Sequence, residues 1–242
     1  MNKLKFAGMH KLSTIKGANK SAKSQSGFTL IEIAIVLVII GLLLGGVLQG
    51  QQLIENSRVR SATNTLNGIA AAAFSYQDRY GRMPGDDGPS FTPLQNRGGA
   101  WTTIPNTHFG NADGILTATA ANTFTGAAGE GAYFFTHLRA AGFITGDSTT
   151  AAGSAAILPS NPFGGVVGIT GAPLWTTLNG NKLCMSNVPG SAAIALDTQL
   201  DDGAAGTGRF RGQVDTTGAD APTGALATTY NETNNYVVCY RM

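Results

Sequence analysis

From Phe28 to Leu48 the chain runs through 21 residues of which only Glu32 is charged. A helix rises about 1.5 Å per residue, so a stretch of this length crosses a bilayer core of roughly 30 Å. The β-branched Ile33, Ile35, Val36, Val38, Ile39 and Ile40 weaken a helix in water. In lipid the backbone must satisfy its own hydrogen bonds, and that weakness matters little. Beyond Leu48 the pattern changes from apolar all round to a single stripe. Val59, Leu66, Ala73 and Tyr80 recur every seven residues, with Ala62, Ile69 and Phe74 beside them. Gly81 and Pro84 are stop signals. The spacing predicts one helix over 28–80, membrane-spanning over 28–48 and amphipathic over 49–80.

Residues 81–128 are rich in Gly, Pro, Asn, Asp and Thr without a sustained period, the mark of a long loop region that Trp101 and Phe109 pin to a core. Glu130 to Ala141 predicts a short helix with Tyr133, Phe134, Leu138 and Ala141 on one face and Gly142 as terminator. Short strand-like runs follow at Gly165–Thr170, Leu174–Leu178 and Lys182–Val188. Ser191 is placed to cap a helix ending at Leu200. Phe210–Val214 and Tyr236–Arg241 complete the strand candidates. A long helix followed by small strands and short helices predicts an α+β head over 81–242 with an antiparallel sheet. Its roughly 160 residues suffice for one modest core.

Glu32 is the anomaly in this pattern. A carboxylate within a membrane helix is disfavoured by roughly 2.5–3.5 kcal/mol at the centre and by less near an end. Snorkelling to the headgroups is one solution. The residues in front suggest another. Residues 1–27 form a polar leader with Lys3, Lys5, Lys11, Lys16, Lys20 and Lys23 and no acid. Cleavage after Gly27 leaves a free amine on Phe28, able to neutralise Glu32 between neighbouring helices of an apolar bundle. An ordinary secretory signal would instead place small residues of the Ala-x-Ala kind after the apolar run, and Leu42–Gln52 offers none. The lysines orient the N-terminus to the cytoplasm.

Gly27-Phe28-Thr29-Leu30-Ile31-Glu32, behind a basic leader and ahead of about twenty apolar residues, closely resembles the type IV prepilin signature shared by type IV pilins and type II secretion pseudopilins. The resemblance implies cleavage between Gly27 and Phe28 by a prepilin peptidase, N-methylation of Phe28, and a role for Glu32 in docking subunits during filament assembly. It implies other copies of the chain, related pilins and an inner-membrane assembly machinery as partners, and the bacterial inner membrane as the location before assembly. After assembly the subunit would lie in a pilus or a periplasmic filament. The implied fold is pilin-like. Met9 offers an alternative start with a 19-residue leader. Gly41, Gly45, Gly46 and Gly50 fit either close helix packing or a segment able to unwind on assembly. The Pro that many pilins carry near the end of the apolar run is missing.

Charge changes the picture only after the leader is set aside. The whole chain is formally +2, but all 14 acids and only ten of the 16 Lys and Arg follow Gly27, leaving −4 on the side chains of residues 28–242. No basic face for nucleic acid is indicated. Cys184 and Cys239 are the only cysteines. In an exported chain they suit a disulfide, closing a loop worth roughly 4 kcal/mol in the chain-entropy model, against the alternative of two buried thiols. The resemblance supports the pairing, because pilins commonly tie down their C-terminal region in this way.

Asp197, Asp201 and Asp202 form the one acidic cluster, near a helix C-terminus where carboxylates oppose the macrodipole. A local ion pair with Arg209 or Arg211 is one account, and a bound Ca²⁺ is the other. Calcium in the C-terminal loop is a feature of the major secretion pseudopilins that the chain resembles, although the spacing is not that of an EF-hand. Asp86, Asp87 and Asp113 are weaker candidates. Only His108 and His137 follow the leader, and His137, beside Leu138, is expected at the surface or an interface. With no Gly-x-Ser-x-Gly elbow and no metal-ligand His pair, no enzyme and no resident cofactor beyond that calcium are expected.

Overall fold

The computed structural model describes residues 27–242. The leader over residues 1–26 and the alternative start at Met9 lie outside them. The chain divides into two compact units, one ending at Leu48 and the other running Gln49–Met242. Helix α1 (Leu30–Tyr80) contributes to both. In the first unit every residue from Gly27 to Leu48 is exposed, so this apolar surface has no partner among the described residues.

In the second unit α1 buries one face, carried by Val59, Ala62, Leu66, Ile69, Ala73 and Tyr76. The stripe is therefore the expected one with two changes. Phe74, expected beside it, is 56 % exposed, and Tyr76 is fully buried. A strict seven-residue repeat drifts by about 20° per heptad on a straight helix, so the row 62, 69, 76 takes over from 59, 66, 73, 80. Tyr80 ends only half-buried. Gly81, at φ +66°, terminates the helix in a left-handed conformation that favours Gly.

The head is α+β, as its pattern predicts. Helices α2 (Thr92–Gln95), α3 (Glu130–Ala140) and α4 (Gly190–Leu200) accompany strands β1 (Val167–Thr170), β2 (Lys182–Pro189), β3 (Phe210–Asp215) and β4 (Asn235–Arg241). The strands form one antiparallel sheet in the order β1-β2-β4-β3. Alternation divides its faces. Leu183, Met185, Phe210, Tyr236 and Val238 join the main core with α1, α3 and α4. Cys184, Val237 and Cys239 face a smaller cluster with Phe124, Leu174 and Leu178. The expected strand over Leu174–Leu178 is instead a tight turn closed by a bridge between its two ends. Neither sheet edge is open. Ala118 accepts from Thr170 Oγ1 at 2.7 Å and from Gly171 N–H at 3.2 Å beside β1. Ala205 accepts from Gly212 N–H, and Ala227 N–H donates to Gly212, beside β3.

Helix α4 starts differently from expectation. Its N-cap is Pro189, which has no side-chain oxygen, and the Ser191 hydroxyl donates instead to Glu55 of α1. A carboxylate from a neighbouring helix thus stands where the positive end of the α4 dipole needs one. Gly190 is required here because a Cβ would lie 2.1 Å from the Asn231 carbonyl oxygen.

Residues 81–128 are mostly irregular, and buried polar groups hold them. Tyr76 OH donates to Asp87 at 2.6 Å, Arg97 pairs with the same carboxylate oxygen at 2.7 Å, and its guanidinium lies over Tyr80 and Trp101 at 4.2 and 4.6 Å. His137 is fully buried, not at the surface. Its Nδ1 accepts from Gly85 N–H at 3.0 Å, leaving Nε2 to donate to the His108 carbonyl at 2.9 Å. The loop that follows α1 covers the polar side of α3, so position beside Leu138 in sequence did not reveal its burial. Asp86 accepts from Ala112 and Gly114 N–H groups, and Glu130 from Thr117 and Asn111. Asp86 and Asp87 are buried anchors of the fold, a stronger role than their sequence positions suggested. Asp113 stays exposed and is bonded within its own turn.

Burial holds His108 and His137 at about 4, below the ordinary 6.5. As pH falls the unfolded chain takes these protons first, so stability present above about pH 6.5 is lost progressively toward pH 4. Asp86 and Asp197, raised chiefly by burial, act in the opposite sense lower in the range. The urea midpoint is expected to drop between about pH 7 and pH 4.5, with a smaller drop in His108→Gln. A flat midpoint in the unaltered chain would contradict this account.

Candidate functional site

The first site is the N-terminal end of α1. Gly27, Phe28 and Thr29 precede the helix in irregular, exposed backbone, with Phe28 85 % exposed. A protease needs an extended, reachable peptide, and the Gly27–Phe28 bond lies in this stretch. The helix begins at Leu30, two residues later than the pattern alone placed it, because Thr29 caps it. Glu32 Oε2 accepts from Thr29 N–H and from Thr29 Oγ1, both at 2.8 Å, and Glu32 N–H donates back to Thr29 Oγ1 at 3.3 Å. This is a capping box, in which N-cap and third helical residue satisfy each other's free donors. The Glu32 carboxylate is thereby turned back over the first helical turn, toward Phe28 and Thr29. Thr29 went unrecognised in the sequence because Glu32 was read only as a charge in a membrane. The Thr-x-x-Glu spacing ahead of an apolar run was the available signal.

The second site is the acidic cluster at the C-terminal end of α4, from Asp197 within the helix to Asp201 and Asp202 just beyond it. Asp197 is fully buried and accepts from Gly203 N–H at 2.9 Å and Tyr230 OH at 2.8 Å. Asp201 accepts from the N–H groups of Arg209 and Phe210. Asp202 accepts from Ala204 N–H at 3.0 Å and Thr207 Oγ1 at 2.5 Å. The Thr207 and Ala204 donors hold the Asp202 carboxyl below its usual range, with a lesser contribution from Arg211. Arg209 compensates the cluster through its backbone N–H, while its guanidinium turns to Tyr240 OH and the Arg241 carbonyl. The three residues are brought together, with one oxygen from each within 4.8 Å of the others. Ca²⁺ takes about six to eight oxygen ligands, so these three are a partial set of the right chemistry, already engaged in fixing the turn.

The third expected pair is joined. Cys184 and Cys239 occupy directly paired positions on β2 and β4 and form a disulfide with sulfurs 2.07 Å apart. Both are fully buried.

Residues 22–48 match the family model described as the prokaryotic N-terminal methylation motif. The chain carries the type IV pilin and pseudopilin signature. The match begins five residues before Gly27 and ends with the apolar run, so it takes in the Gly27–Phe28 bond, the capping box and the exposed apolar segment together. It implies processing by a prepilin peptidase, assembly with other pilin subunits and membrane anchoring beforehand, and it points to a structural protein. No curated protein matches the chain.

The capping box makes a direct prediction. Thr29→Ala removes the hydroxyl that takes part in two of its three bonds, at a cost of about 1 kcal/mol to the first turn, while Thr29→Ser keeps them. Hydrogen exchange in detergent is expected to show faster exchange at Leu30–Ile33 in the Ala variant and unchanged rates in the Ser variant.

Proposed function

We propose that the chain is a structural subunit of a type IV pilus-like filament, cut between Gly27 and Phe28, N-methylated on Phe28 and assembled through α1. The observation that carries this reading is one carboxylate, Glu32, in the otherwise uncharged, fully exposed apolar part of α1 up to Leu48, a segment that lies within the methylation-motif match. Before cleavage Thr29 satisfies Glu32. Cleavage creates a cation at Phe28, and packing such helices into a bundle excludes water and headgroups from both charges. Their mutual neutralisation, within or between subunits, then becomes the alternative to a burial that would otherwise disfavour assembly. Residues Leu30–Leu48 form the filament core and the disulfide-tied head its surface. Before assembly the subunit sits in the bacterial inner membrane with its head outside.

The second reading is a pseudopilin of a type II secretion system, whose short filament pushes substrates outward. The convergence of Asp197, Asp201 and Asp202 favours it, as an oxygen-ligand set for Ca²⁺ in the C-terminal loop. A membrane-anchored binding domain that never polymerises is the remaining alternative, and it requires no role for Glu32.

Mass spectrometry of membrane and sheared surface fractions is expected to find a mature chain starting at N-methylated Phe28. A retained leader, or a chain cut after Leu48, would sink the filament reading. Glu32→Ala should be processed normally yet fail to assemble, or be left out of mixed filaments. On the calcium reading, Ca²⁺ should raise the Tm of the protein, a chelator should reverse the shift, and Asp202→Asn should abolish it. A Tm indifferent to Ca²⁺ would leave the hydrogen bonds as the whole account of that turn.

A further inference from the structure

The short loop over residues 147–152, which follows α3, is fastened differently from the rest of the head. Gly146 and Gly153 bracket it, at φ +129° and +95°, in conformations that side chains disfavour. From Gly153 onward the chain is held tightly. Its N–H donates to the Gly126 carbonyl at 2.6 Å, and a Cβ on Gly126 would lie 2.3 Å from the Ser154 carbonyl oxygen. Between the two glycines the side chains of Asp147, Thr149 and Thr150 bond only one another and the loop's own backbone. Among the described residues a single hydrogen bond ties this loop to the body of the head, from Ala152 N–H to His108 Nε2 at 3.2 Å. Ala152 also packs against the core.

That bond fixes the state of the ring. A backbone N–H can only donate, so Nε2 carries no proton and Nδ1 carries the one proton of the neutral imidazole. Nδ1 then donates to Thr136 Oγ1 at 3.2 Å. A second proton, on Nε2, would set two N–H groups against each other. Nothing nearby compensates for it. The ring is fully buried and stacks on Tyr133 at 4.6 Å, and among the described residues no carboxylate lies within 4.0 Å of it. Tyr133, pushed up by burial, stays neutral. Asp87 and Arg97, paired with each other, act on His137 instead. Arg139 of α3 lies against Gly146, and Asp147 on the loop stays ionised because Thr149 holds its carboxyl below the usual range. Burial therefore keeps His108 at about 4. His137 is locked in the same way by Gly85 N–H, but bonds at Asp86 and Asp87 hold that segment as well. Only at His108 does one ring nitrogen hold a loop alone.

We propose that His108 is an acid-operated latch: protonation of Nε2 releases Ala152 and lets the loop over 147–152 swing out about Gly146 and Gly153, while α1, the sheet and its disulfide stay folded. The closed loop requires the neutral ring and the open loop wets it. Closure is therefore at its most stable above about pH 6.5 and weakens progressively toward pH 4. Such an opening is local, because it breaks one hydrogen bond and the packing of one short loop, and it precedes the global loss of stability. The two flanking glycines absorb the backbone change. The inference goes beyond the filament reading and holds whether or not the chain assembles.

Amide hydrogen exchange of the full chain in detergent tests the latch. Between pH 7 and pH 5 the opening constant at Ala152, corrected for the intrinsic pH dependence of exchange, is expected to rise roughly twentyfold, the factor for a histidine at about 4 when closed and 6.5 when open. The rise should be insensitive to low urea, as for a local opening, whereas β4 amides follow the urea-sensitive global unfolding. His108→Gln offers Ala152 an amide oxygen that takes no proton in this range, so its opening constant should not change with pH. In the unaltered chain, nitrogen chemical shifts of His108 should show the Nδ1–H tautomer at pH 7, a measurement that stands even if the variant does not fold. The opposite tautomer, an opening constant at Ala152 indifferent to pH, or a rise that persists in His108→Gln or comes only with global unfolding, would overturn the proposal. Assembly of Glu32→Ala would instead overturn the filament reading, so the two failures are distinguishable.

Discussion

Helix α1 has to satisfy two surroundings with one continuous backbone. Up to Leu48 its side chains are apolar in every direction and exposed in every direction, which is tolerable only in lipid or against other apolar helices. From Val59 onward it is apolar on one side and buried on that side alone. The helical hydrogen bonds make both possible, because they satisfy the backbone whatever lies outside. What differs along α1 is the side chains, and Glu32 is the one charge in the apolar part. Its capping box is a local solution open to a single chain. A bundle of such helices calls for a second one.

The head depends on α1 in a different way. Its longest irregular segment, from Gly81 to Gly129, has little regular backbone pairing and is fastened by buried polar side chains. Tyr76, Asp87, Arg97, His137, Asp86 and Glu130 each bond to a group far away in sequence. Such groups are costly to bury alone and stabilising when fully paired, so the network selects one path for the loop. The disulfide acts at the other side of the sheet, joining strands that are already hydrogen-bonded in register.

Much of the architecture was legible from local pattern. The extent of α1, helix α3, the α+β class and most strand positions follow from periodicity and punctuation, which depend on near neighbours in the chain. Only two cysteines in a chain with an export-type N-terminus left one intramolecular pairing to consider. The errors share a cause. His137 was assigned to the surface because its helix neighbours did not reveal the loop lying over it. Phe74 was placed beside the stripe and Tyr76 was not read at all, because both are aromatic and only the direction of the head separates them. Ser191 was taken as a cap, whereas it reaches Glu55, 136 residues away in sequence. The acidic residues at the end of α4 were recognised as a cluster, but their donors, from Gly203 to Tyr230, were not.

The sequence by itself determined the methylation-motif match, the membrane-length helix, its lone carboxylate and the disulfide partners, since each is a matter of residue type and spacing within one short stretch or of a count of two. Tertiary structure alone decided which polar groups are buried, which face of α1 carries the head, and that Phe74 stays exposed while Tyr76 is buried. Those features depend on which distant segments come to lie against α1. Hydrogen bonds and exposure created between remote residues leave no period in the chain.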